Sequence, residues 1–253
     1  MNTKLRLPKF EVLDCPIQCG DEIEFRDHLI EVLSEQHQVG GGYSIAINAE
    51  KIYKYNKNTD LRNTIDSSTL QYVDGSAAVI GLRMLHGISA KKIDFPNMVL
   101  KLCNERQFRL FIAGSTEANL QLAVDYIKHF YPFIQLVGFC DGYKPESVIA
   151  DLITKSNADL VMLAMGSPKQ EKFAKNMIDL GAKLFFVGVG GAIDIMSGQK
   201  SRAPSWMING HLEWFYRLVK EPWRIKRMNV LPKVMIALII YYLLKKNILT
   251  QKT

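Results

Sequence analysis

Short apolar runs recur along the first 190 residues, and nearly all of them end in or lead straight into glycine or a small polar residue. They span residues 44–49, 109–114, 134–139, 160–166 and 184–190. Most lack the alternation of a half-solvated strand, so they read as strands covered on both faces. Helical patterns lie between them, most clearly over 117–130 and 169–180. Strands alternating with helices imply an α/β fold with a mainly parallel sheet. In such folds ligands bind at the carboxyl ends of the strands. The loops Gly114-Ser115-Thr116, Asp141-Gly142-Tyr143, Gly166-Ser167-Pro168 and Gly188-Val189-Gly190-Gly191 are therefore the expected rim of a site.

The rhythm stops near Arg202, which divides the chain into a core of residues 1–200 and an appendage of residues 201–253. Charge follows the same division. The appendage holds ten Lys/Arg and two Asp/Glu, a balance of +8, whereas residues 1–200 hold 22 basic and 23 acidic residues. A local basic patch points to a local anionic partner. Trp206, Trp214, Tyr216 and Trp223 stand among these basic residues, a composition suited to a membrane interface. Pro232 and an apolar run over 234–244 follow. That run is too short for the roughly 20 residues that span a bilayer, so an interfacial or docked helix is expected. Removal of 229–253 should then release the chain from membranes and leave the core folded. The apolar run favours a membrane over nucleic acid as partner. The N-terminus has no apolar run behind its basic residues, so no secretory signal is read and a cytosolic location is expected. The four cysteines, Cys15, Cys19, Cys103 and Cys140, show no zinc spacing, and a disulfide framework is not expected in a chain of 253 residues. With 48% hydrophobic and 23% charged residues, global disorder is a poor reading.

Four elements could carry chemistry. Asp74-Gly75 precedes a small-residue helix, so Asp74 is a candidate general base at a crevice, or simply a turn or cap residue. In Gly166–Glu171, Ser167 suits the N-cap and Pro168 the first helical position, so the free amides there could hold a phosphate, with Gln170 in the first turn. The segment 188–198 falls short of a dinucleotide fingerprint, because Ile193 stands where the third glycine belongs; Asp194 is a candidate for a sugar hydroxyl, or a cap. Arg217, Arg224 and Arg227 share one face if their segment is helical, and guanidinium forks suit diphosphates. Asp-x-Asp, Walker A and His-Glu-x-x-His are all absent. No metal site is therefore expected, and arginines and helix N-termini would neutralise a donor diphosphate.

The strings VDGSAAVIGLRMLHG, LAMGSPKQEKF and GVGGAIDIMSGQKSRAPSWMINGHLEWFYRLVKEPWRIKRM, in this order, closely resemble the WecG/TagA/CpsF glycosyltransferase family, over about residues 9–228. The resemblance implies a Rossmann-like fold and a metal-independent, inverting transfer of a sugar such as N-acetylmannosamine or its uronic acid. The donor would be a UDP-sugar and no cofactor would be needed. The acceptor would be a sugar on undecaprenyl diphosphate, with the appendage completing the site at the inner face of the membrane. It also implies self-association. Asp74 would be the base; Asn48, Gln170 and Asp194 would line the pocket; Arg217, Arg224 and Arg227 would face the diphosphates. Two positions depart from the pattern: Ala46 replaces a hydroxyl residue, and Lys92 (or Lys91) replaces an arginine, so the donor sugar stays unspecified. The competing readings are a nucleotide-sugar or NAD(P)-dependent oxidoreductase and a non-enzymatic basic module that binds membrane or nucleic acid.

Overall fold

The computed structural model describes residues 7–204, 206, 207, 210, 213–222 and 229–250. Its centre is a six-stranded sheet in the order β4-β3-β8-β7-β5-β6, with every neighbouring pair parallel. The strands are β3 (Gly42–Ile47), β4 (Leu70–Val73), β5 (Arg109–Gly114), β6 (Gln135–Cys140), β7 (Leu160–Ala164) and β8 (Phe185–Gly188). An antiparallel hairpin, β1 (Lys9–Val12) with β2 (Cys15–Gln18), lies beside β4. The helices are α1 (Glu22–Val39), α2 (Ala49–Tyr55), α3 (Thr59–Asp66), α4 (Ser76–His86), α5 (Phe95–Arg106), α6 (Glu117–Phe130), α7 (Glu146–Lys155), α8 (Lys169–Asp179), α9 (Ala192–Met196), α10 (Glu213–Lys220) and α11 (Val230–Thr250).

Both faces of the sheet are buried, which explains the unalternated apolar runs. Phe111, Ala113, Val161, Leu163 and Phe186 point into one core with α2, α3, α7 and α8. Leu110, Ile112, Leu160, Met162, Phe185 and Val187 point into the other, with α1, α5, α6 and α9. Helices leaving β3 and β7 thus go to one face, and those leaving β8 and β5 to the other. Ligands of open α/β sheets bind above such ends, where helices leave neighbouring strands to opposite faces.

Several expected boundaries move. The first strand runs from Gly42 to Ile47, and Asn48 and Ala49 belong to the start of α2. The apolar run at the C-terminus lies within a helix of 21 residues, with Pro232 in its first turn, where no intrahelical N–H is needed. Val234 and Leu238 of α11 are fully buried against α2 and α4. Removing 229–253 would therefore strip a piece of the core, contrary to the expectation above. The opposite face of α11 exposes Ile236, Ile239, Ile240, Leu243 and Leu244. Among the described residues no helix is long and apolar enough to cross a membrane. All four cysteines are free and buried, and burial pushes the Cys15 and Cys103 thiols up to about 12 and those of Cys19 and Cys140 up to about 11.

Candidate active site

The ends of β3 and β4 place Asn48 and Asp74 side by side. The Asp74 amide donates to the Ile47 carbonyl at 2.9 Å, which continues the sheet pairing one step past the strand. The chain then turns at Gly75, whose φ of 103° is a conformation that a side chain resists, and α4 begins. A Cβ at Gly75 would lie 3.8 Å from the Asn48 Cβ, so the two turns are adjacent. The Asp74 side chain is exposed at this rim, next to the first free amides of α4. It does not cap the helix, because no side chain caps α4. Asn48 does cap α2: its Oδ1 accepts from the Lys51 amide at 3.1 Å, and its amide nitrogen is left for another partner.

The ends of β7 and β8 are joined through the first turn of α8. Ser167 is not the N-cap; the Ser167–Pro168 peptide is cis and Pro168 itself precedes the helix. The reason is Gly166, whose φ of 78° turns the chain so that its carbonyl accepts from the Gln170 amide at 3.0 Å. This sets Gln170 across β8, where a Cβ on Gly188 would come within 2.4 Å of the Gln170 Nε2. A side chain at 188 would have to displace the Gln170 amide from this place. The Gln170 Oε1 is buried and has no hydrogen-bond partner among the described residues. A desolvated acceptor of this kind costs about 1–3 kcal/mol, which marks it as a place where a ligand donor would be welcome.

Sequence reasoning missed what holds these strand ends together. Lys51 Nζ lies 2.8 Å from Glu171 Oε1, both side chains are at most 5% exposed, and Nζ also donates to the Ala46 carbonyl at 3.0 Å. The pair links the end of β3 to the start of α8, one residue from Gln170 and three from Asn48. Removing one partner of a buried pair leaves an uncompensated charge, at a cost of about 3–5 kcal/mol. The same pair borders a shallow cleft, lined also by Lys54, Asn58, Thr64 and Ser167. None of Asp74, Asn48, Gln170 and Asp194 lines that cleft, so it is separate from the strand-end crevice.

Beyond β8, Asp194 in α9 reaches the Ser115 hydroxyl at the end of β5 (3.5 Å) and Lys200 Nζ (2.7 Å). Lys200 also pairs with Glu221 at 3.1 Å, so one ammonium links α9 to the chain that follows α10. Burial alone would lower the Lys200 ammonium; the bonds from Asp194 and Glu221 outweigh it and hold it above the usual lysine range. Arg202 pairs with Asp94 at 2.8 Å, two residues after Lys92 in the connection from α4 to α5. Lys200, Arg202 and Glu221 fall within the string that carries the family resemblance, but the pairings Lys200–Glu221 and Arg202–Asp94 join segments 21 and 108 residues apart and were not visible in it. Arg217 lies in α10, but its side chain is outside the described residues, as are Arg224 and Arg227 entirely. The structure therefore brings Asn48, Asp74, Gln170 and Asp194 to the carboxyl ends of β3, β4, β7 and β8.

Chemically, this rim offers one exposed carboxylate, neutral amides, and helix N-termini at the starts of α2, α4 and α8. Among the described residues no three His, Cys, Asp or Glu side chains gather as metal ligands do. Known proteins resemble this chain along most of its length. The model of the family described as "Glycosyl transferase WecG/TagA/CpsF family" matches residues 10–248. The N-acetylglucosaminyldiphosphoundecaprenol N-acetyl-beta-D-mannosaminyltransferase of Bacillus subtilis (strain 168) is 35% identical over 206 residues, covering 79% of this chain and 80% of that protein. The protein of the same name from Bacillus spizizenii (strain ATCC 23059 / NRRL B-14472 / W23) is 30% identical over 219 residues, covering 85% and 84%.

Proposed function

The chain belongs to the WecG/TagA/CpsF glycosyltransferase family, and from that premise we propose that it moves an N-acetylmannosamine-like sugar from UDP onto a sugar carried by undecaprenyl diphosphate. The observation that carries this reading is the exposed Asp74 carboxylate at the end of β4, beside the N-terminus of α4 and the Asn48 turn. The names of the two Bacillus relatives support the choice of sugar and acceptor.

In this reading Asp74 takes the proton of the acceptor hydroxyl as that oxygen attacks the anomeric carbon from the face opposite UDP, which inverts the centre. Asn48, Gln170 and Asp194 hold the donor, and positioning by the rigid strand ends supplies much of the acceleration. Lys92 stands near the donor end as a point charge rather than a fork. Arg217, Arg224 and Arg227, with the helix N-termini, stabilise charge on the leaving diphosphate, with no metal or cofactor required. The acceptor sits in lipid, so the protein works as a peripheral protein on the inner face of the membrane. The exposed apolar face of α11, in a segment of net charge +8, supports that placement. The product would enter a cell-surface polymer.

The test is kinetic. Asp74→Asn should keep its thermal unfolding and UDP-sugar binding while turnover falls by roughly 10²-fold or more, as loss of a general base does. Turnover within a few-fold of wild type would remove Asp74 from the role.

A further inference from the structure

The buried pair of Lys51 and Glu171 is a weak source of stability. Taking two charges out of water costs much of what their attraction returns, and apolar side chains of similar size serve a core equally well or better. The pair is also incomplete: Glu171 Oε2 is buried and has no hydrogen-bond partner among the described residues. Lys54, three residues further along the same helix, makes the ordinary arrangement instead, a partly exposed pair with Glu50 of α2 itself. What a buried pair supplies and an apolar one does not is a directional contact of fixed length.

Lys51 is placed to use that contact on two sides of the strand-end site. Its backbone amide donates to Asn48 Oδ1 at 3.1 Å and holds that side chain. Its ammonium lies 2.8 Å from Glu171 Oε1, and Glu171 follows Gln170 directly in the first turn of α8. The same ammonium donates to the Ala46 carbonyl at 3.0 Å, which anchors the bridge to β3. Sheet pairing does not make this link. β8 lies between β3 and β7, so no ladder of hydrogen bonds joins the strand before Asn48 to the strand before Gln170.

Resting on the reading that Asn48 and Gln170 hold the donor, we propose that Lys51 and Glu171 are positioning residues. Their bridge sets the spacing of the two amides, and through it the affinity for the UDP-sugar. The effect falls on binding more than on the chemical step, because Asp74 stands on the turn after β4, outside the bridge. Loss of the pair should raise KM for the donor and leave kcat at saturating donor nearly unchanged.

The experiment is steady-state kinetics of the full-length protein with UDP-N-acetylmannosamine and a lipid-diphosphate-linked N-acetylglucosamine acceptor, with thermal unfolding in parallel. Lys51→Met and Glu171→Leu each leave one buried charge unpaired and should lower the unfolding temperature. The double variant removes both charges and should regain it. Its donor KM should nevertheless stay about tenfold or more above wild type, since small misplacements of positioning groups cost that much. Its kcat and acceptor KM should stay within about threefold of wild type. The single variants and the double should raise donor KM by similar factors, because all three remove one and the same contact. A double variant with wild-type unfolding and wild-type donor KM would overturn the proposal and leave the pair a part of the core. Should the double variant fail to fold, Glu171→Asp is the second arm: it keeps both charges and shortens the bridge by one methylene. It should raise donor KM about threefold or more, and an unchanged KM would overturn the proposal. Asn48→Ala and Gln170→Ala separate this inference from the reading beneath it, and both should raise donor KM. If neither does, the assignment of the donor to these amides fails and the positioning role fails with it. If both do while the Lys51 and Glu171 variants do not, only the positioning role is overturned.

Discussion

The outer face of α11 and the β6 edge are both rows of exposed apolar side chains, yet they differ in what surrounds them. The segment 201–253, which includes α11, holds ten basic and two acidic residues in sequence; residues 117–155, at the β6 edge, hold five acidic and three basic. The two also differ in how they are anchored. The α11 helix is attached through Val234 and Leu238, whose burial in the core leaves Ile236, Ile240 and Leu243 facing outwards. The β6 edge is part of the sheet itself. Apolar exposure alone therefore does not define a partner: the basic surroundings of the first surface favour an anionic partner and the acidic surroundings of the second disfavour one.

The largest effect that would test this contrast is on stability. Leu238→Ala should cost about 2–5 kcal/mol in urea unfolding, as large-to-small changes in a packed core do, whereas Leu152→Ala at the edge should cost less than about 1 kcal/mol. Equal small losses would show that α11 has no inner face. Next comes lipid binding. Replacing Ile236, Ile240 and Leu243 together by Gln should weaken binding to anionic vesicles by about tenfold or more, since each buried CH₂ contributes about 0.8 kcal/mol. Thermal unfolding should not change. The smallest effect is the response to salt. Raising ionic strength should weaken vesicle binding several-fold, because headgroup attraction is screened. Thermal unfolding should change little over the same range, because the contacts that anchor α11 are apolar. Vesicle binding indifferent to salt would mean that the apolar face of α11 acts without the basic residues of its segment.

Much of the architecture was legible because both faces of the sheet are covered. The residues of β5 and of α6 fall where the apolar run and the helical period place them. The β1–β2 hairpin was not legible: its strands are four residues long, carry Pro16, and turn at Leu13-Asp14 with positive φ in place of the usual glycine. The turn is held from outside, by Asn56 donating to the Leu13 carbonyl and the Asp14 carboxylate. The apolar run over 234–244 marks only the middle of α11, because Pro232 sits in its first turn and the helix continues past Lys245 and Lys246. In the candidate site, residues next to a strand end were visible, since a local signal (a glycine, a cap, a turn) accompanies them. Lys51 with Glu171, and Lys200 with Asp194 and Glu221, were not. Each pairing depends on where the fold brings separate segments, and no local pattern encodes it.

The contact of Gln170 with Gly188 has a consequence for how this site can change over time. The amide lies on the bare backbone of the neighbouring strand, with no room for even a methyl group between them. Positions 170 and 188 are therefore epistatic. A larger residue at 188 must push the Gln170 amide, the end of a flexible side chain, out of its present place, and a shorter residue at 170 removes that conflict. Lineages or libraries that alter this wall of the site therefore meet the two positions as a pair, and the effect of either substitution depends on which residue stands at the other.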